Sequence, residues 1–177
     1  MSFSLEKFTE DSLEATNEAW IEASHSYGMP VIDFEKSLTW AKSHINYDSE
    51  CCSFSYGVFQ TSSNEAAAIV DVVYKTQFGP DLGWLKMLDV SLSPKYSIDF
   101  QGLDVSTLTE IYLTAIIGTV LLTADHRARV VKLYGRNEPL LMLLHLLNER
   151  LKHNEAPGQN VHSKIEGRWL VVTYSEI

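Results

Sequence analysis

The sequence has little cysteine: two residues in 177, Cys51 and Cys52, and they are adjacent. Neighbouring residues on an extended strand point to opposite faces, so a disulfide between them would be strained and no cross-linking framework exists. That usage suits a reducing compartment. A basic-then-apolar leader is missing too: the opening MSFSLEKFTEDS has neither region, and the expectation is a cytoplasmic protein. The longest apolar run, Ile111 to Ala124, is short for a bilayer and is interrupted by Thr114, Gly118, Thr119 and Thr123. It reads as a core helix, and no membrane partner is expected.

Positive charge is scarce, with 14 Lys and Arg against 23 Asp and Glu and a net charge of −9. A polyanion would be repelled at long range, so nucleic acid is not an expected partner. The cations concentrate between His126 and Lys152, where Arg127, Arg129, Lys132, Arg136, Arg150 and Lys152 either meet a small phosphorylated ligand or sit at solvated helix ends. Common catalytic templates are absent: no Walker loop, no GxSxG, no HExxH and no CxxC. The histidines, at 25, 44, 126, 145, 153 and 162, are scattered rather than at metal-ligand spacing, so no metal is expected.

What is present is enough to bury one core, with 45% hydrophobic and 11% aromatic residues, and the expectation is a single domain over 1–177. Phe3 to Phe8 reads as a strand. A helix starts at Thr9 or Asp11 behind an acidic first turn, carries Ala15, Ala19, Trp20 and Ala23 on one face, and stops at Gly28-Met29-Pro30. A second helix runs from Asp33 through Leu38, Trp40 and Ala41 to about Ile45. From Cys51 the residues turn branched and aromatic, and three antiparallel strands are the simplest reading: CCSFSYGVFQT, AAAIVDVVYKT and LGWLKMLDVSLS, the last closed by Pro94. A loop with Gly102 follows, then an N-cap between Asp104 and Ser106 for the apolar helix. ARVVKLYG is a further strand, Asn137-Glu138-Pro139 opens the helix LLMLLHLLNERLKH, and VHSKIEGRWLVVTYS closes the chain as a strand region with a bulge or turn at Glu166-Gly167.

This order over nearly the whole chain, with the apolar strand Leu88-Asp89-Val90-Ser91-Leu92-Ser93-Pro94, resembles the GNAT-type N-acetyltransferase superfamily. The resemblance implies an α/β (α+β) fold, with a central, mostly antiparallel mixed sheet of six to seven strands and about four flanking helices. It also implies acetyl-CoA or another acyl-CoA as co-substrate. The family's glycine-rich phosphate loop is not reproduced, since only Gly102 stands in LDVSLSPKYSIDFQGLDVST; backbone amides between Lys95 and Ser106 would then hold the diphosphate. On the same basis Val90, Leu92, Lys95, Gly102 and Asn137 are the expected cofactor-binding positions.

The family places an asparagine after the next strand and a tyrosine seven residues on. Asn137 fits, but the later position is Leu144, which has no proton to give. His145 is adjacent and turned about 100° around the helix. Asp71 and Asp89, among apolar strand neighbours, are expected to deprotonate the amine if burial raises their pKa values, and they face solvent in the alternative reading. The implied activity is direct acyl transfer to a small-molecule or peptide amine, with Asp71, Asp89 and His145 as catalytic candidates. The alternative is a catalytically inactive GNAT-like binding or interaction module. The helix after Pro139 and the strand Trp169 to Tyr174 serve either a core or a homodimer surface.

Overall fold

The computed structural model describes residues 3–45, 52–75, 83–97, 105–126, 128–153 and 161–174. In chain order the elements are β1 (Phe3–Lys7), α1 (Glu10–Ser26), α2 (Ile32–Ser43), β2 (Ser53–Gln60), β3 (Ala66–Lys75), β4 (Gly83–Leu92), α3 (Pro94–Ser97), α4 (Val105–His126), β5 (Ala128–Tyr134), α5 (Glu138–His153), β6 (Val161–Glu166) and β7 (Trp169–Tyr174). The strands form one mixed sheet in the order β1-β2-β3-β4-β5-β7-β6, an α/β architecture with four long helices and the four-residue α3. Of the two readings left open at Glu166-Gly167 the turn holds, so the chain ends in a hairpin, β6 and β7; Pro94 opens a short helix as well as closing β4. Cys52 precedes β2, is exposed and carries a free thiol, while Cys51 lies outside the described residues.

The chain divides into two compact units, Met1–Asp71 with Val90–Gly118, and Val72–Asp89 with Thr119–Ile177. In the first, α1 begins with a capping box. Thr9 Oγ1 accepts from the Ser12 amide at 3.1 Å, and the Thr9 amide donates to Ser12 Oγ at 2.9 Å, so two otherwise orphaned amides are satisfied. The helix buries Leu13, Thr16, Trp20 and Ser24; of the face read from the sequence only Trp20 is buried, and Ala15, Ala19 and Ala23 are half-buried. The polar members of that face are bonded. Thr16 Oγ1 donates to the Ser12 carbonyl at 2.7 Å and accepts from the Ala66 amide at 2.9 Å, and Trp20 Nε1 donates to the Ala66 carbonyl at 2.8 Å. Both backbone groups at the start of β3 are thereby tied to α1. Phe8, Leu13, Trp20, Phe34, Leu38 and Phe59 form the core around this tie, with edge-to-face contacts between Phe8 and Phe59 and between Trp20 and Phe34.

On the sheet's edge β1 runs antiparallel to β2, from Phe3 opposite Gln60 to Lys7 opposite Tyr56. Helix α4 lies close against β1: a Cβ on Gly118 would stand 2.5 Å from the Leu5 Cβ. Leu108, Ile111, Tyr112, Ala115, Ile116 and Thr119 are its buried stripe, spaced as one face of a helix requires. The helix is longer than the run read from the sequence, and by length and composition it is apolar enough to cross a membrane. Burial of that stripe turns one of its faces into the protein. The opposite stripe, Leu113, Ile117 and Leu121, is exposed.

In the second unit β4 and β5 run parallel, as a strand-helix-strand crossover through α4 demands. Strand β7 pairs antiparallel with β5 and with β6. The β6–β7 hairpin turns over Gly167-Arg168, with Gly167 at φ +61°, the left-handed conformation expected of glycine at the first position of a two-residue loop. On β6 the Lys164 ammonium lies 2.6 Å from Glu166 and holds that carboxyl below its ordinary pKa.

Candidate functional site

Two places carry the sequence-derived positions, one in each unit. In the second unit the focus is the carboxyl end of the parallel pair. Register between β4 and β5 runs from Gly83 opposite Ala128 to Met87 opposite Leu133, with a shift at Gly83/Trp84, and stops there although β4 continues to Leu92. Asp89, two residues past the last pair, receives a hydrogen bond from Arg136 Nη1 at its Oδ2, 3.0 Å away. Asn137 caps α5: its Oδ1 accepts from the Leu140 amide at 2.9 Å, and its carbonyl accepts from the Leu141 amide at 3.0 Å.

The connection between β5 and α5 is held by a residue that sequence reasoning passed over. Arg168 donates through Nε to the Gly135 carbonyl at 2.7 Å, through Nη2 to the Arg136 carbonyl at 3.2 Å and through Nη1 to Glu138 Oε1 at 2.9 Å. Its own carbonyl accepts from the Gly135 amide. A planar guanidinium presents five donors in a rigid fork, so it holds three acceptors in one fixed geometry. Gly135 must be glycine for packing reasons, because a Cβ would lie 2.8 Å from the Leu141 Cα. The hint in the sequence is the hairpin turn, which sets Arg168 on the same sheet end as Gly135.

Leu144 is fully buried under α5. His145 points to solvent from the same helix, between exposed Met142 and Leu146, and the described residues offer its ring no hydrogen bond. The structure thus brings Asp89 and Asn137 to the turn around Arg136, and leaves His145 two turns along the helix.

In the first unit Asp71 is half-buried midway along β3, between fully buried Val70 and a following apolar strand. Val90 is in the core and Leu92 is half-buried. Lys95 is exposed on α3 with its ammonium 5.3 Å from the Tyr96 ring centroid. Gly102 lies outside the described residues, as do most of the amides between Lys95 and Ser106. Lys95, Ser93 and Tyr96 line a cleft of about 240 Å³ floored by Trp20. Among the described residues there is no group of three or more His, Cys, Asp or Glu placed to hold a metal ion.

Comparison with solved structures finds likenesses at low identity. The chain is similar to a GNAT family acetyltransferase from Brucella melitensis in complex with acetyl-CoA, at 10% identity and a TM-score of 0.46, covering 98% of this chain and 89% of that one. It is similar to a possible acetyltransferase from Clostridium difficile 630, at 12% identity and a TM-score of 0.45, over 84% and 90% of the two chains. It is also similar to the N-acetyltransferase PseH of Campylobacter jejuni, at 16% identity and a TM-score of 0.41 over the whole of both. No protein-family model and no curated protein matches the sequence. The sheet holds a parallel β4–β5 pair joined through α4 and closes in an antiparallel hairpin.

Proposed function

We propose that this chain is a GNAT-like acyl-CoA-binding protein that transfers an acetyl or other acyl group to a small-molecule or peptide amine by direct attack. The observation that carries the reading is the end of the β4–β5 register at Met87 while β4 runs on to Leu92. Open α/β sheets bind ligands beyond the carboxyl ends of their parallel strands, where backbone groups are released from pairing. On this reading Val90 and Leu92 line the acyl-CoA along the strand end, and Lys95 supplies a charge to its phosphates, with Gly102 and Asn137 the remaining positions. Asn137 can contribute only what capping leaves, since its Oδ1 is bonded to Leu140. Asp89 would have to release Arg136 to accept a proton, Asp71 is the second candidate base, and His145 acts only on a ligand that reaches the outer face of α5. No metal takes part, and the setting is cytoplasmic. Met142 and Leu146, exposed one turn apart on α5, support a homodimer.

A second reading, a GNAT-like interaction module without turnover, is favoured by Leu144, a buried apolar side chain where the resemblance calls for a tyrosine. A thermal-shift titration with acetyl-CoA separates the two. A co-substrate at about 100 times its dissociation constant stabilises the folded state by about 2.7 kcal/mol. A flat melting temperature up to millimolar acetyl-CoA would leave the module.

A further inference from the structure

The cleft in the first unit holds more unengaged chemistry than a fold alone requires. It is bounded by the second half of α1, the turn after β2 and the end of β4, and its volume of about 240 Å³ limits any occupant to a small molecule. Its floor is fixed, because Trp20 Nε1 is bonded to the Ala66 carbonyl and Ser93 donates its amide to the Ala67 carbonyl at 2.9 Å. Ser93 is 5% exposed, yet its hydroxyl has no hydrogen-bond partner among the described residues. That oxygen is not sealed from solvent, so a ligand in the cleft can take the place of the water it meets there.

Charges of both signs line the same cleft: Glu22 and Glu65 on one hand, Lys95 on the other. None of the three is ion-paired among the described residues, although they line one cleft. Opposite charges that share a small cleft and stay apart match a molecule that carries both signs itself. Gln60 adds an amide with no side-chain partner, and Tyr27 and Tyr96 add apolar walls.

We propose that this cleft binds a small zwitterionic amine, of amino-acid to dipeptide size, with its carboxylate toward Lys95 and Ser93 and its ammonium toward Glu22 and Glu65. The proposal stands apart from the acyl-transfer reading, in which Lys95 serves the phosphates of the co-substrate, so binding is measured without acyl-CoA.

The experiment is a saturation-transfer NMR and calorimetric titration of the intact chain with free α-amino acids and alanyl dipeptides. Each is paired with its N-acetylated form, which lacks the cation, and its C-amidated form, which lacks the anion. The expected result is saturable binding of free zwitterions, with each capped form weaker by about tenfold or more, the loss of one charge-assisted contact. Lys95→Met should remove the discrimination against the amide, and Glu65→Gln should reduce the discrimination against the N-acetyl form. Ser93→Ala should weaken every member while leaving the circular dichroism unchanged. No binding of any zwitterion at about 10 mM, or capped forms binding as well as free ones in the unmodified protein, overturns the proposal. A flat acetyl-CoA titration alongside selective zwitterion binding would overturn only the acyl-transfer reading.

Discussion

At the residue scale, Thr16 shows how a side chain that reads as unremarkable in a sequence can be a fixed point of the structure. Its hydroxyl accepts the Ala66 amide inside the core, where no water can replace it. Thr16→Val keeps the shape and removes the acceptor. The expected cost is about 1–3 kcal/mol in urea denaturation, with Thr16→Ser recovering most of it. A valine variant as stable as the parent would show that the amide has another partner. This tie was not legible in the sequence: the helical period selects Ala15, Ala19 and Ala23 because apolarity is the visible signal, whereas Thr16 and Ser24 face inward by virtue of bonds to Ala66 and Trp20. Asp89 illustrates the same limit. Alternation places it on a strand, but only its position past the last β5 partner brings it to Arg136.

At the element scale, the start of α5 depends on two devices of different origin. Asn137 was recognisable as a residue of special position, and the structure makes it the N-cap. Asn137→Ala should cost about 0.5–2 kcal/mol of stability and Asn137→Asp, which keeps the acceptor oxygen, much less, as read from the thermal midpoint. If both variants lose acetyl-CoA affinity while only alanine loses stability, the residue serves ligand as well as helix. The Arg168 bracket was not readable in advance, because it joins Gly135, Arg136 and Glu138 to a turn far along the chain. Strands were read well where branched and aromatic residues cluster, and least well at the end of the chain, where Glu166-Gly167 admitted both a bulge and a turn. Gly167 at positive φ decides for the turn and splits that region into β6 and β7.

At the scale of the whole molecule, the order of elements was legible, because hydrophobic periodicity marks each helix and strand without the help of any glycine-rich motif. Strands β3 and β4 and helix α4 each contribute residues to both compact units. Continuous elements of this kind open together, so native-state hydrogen exchange should give the buried amides of Val70 and Val131 the same opening free energy to within about 1 kcal/mol. Two separate plateaus would mean that the units unfold independently. The register of β1 has a further consequence, for biosynthesis. Phe3 finds its partner only at Gln60, after α1 and α2 have been made. At roughly 5–20 residues per second, the opening strand leaves the ribosome and waits for seconds with its edge unpaired. Until Gln60 emerges, the nascent chain is a helical pair trailing a strand that any passing β-edge could capture.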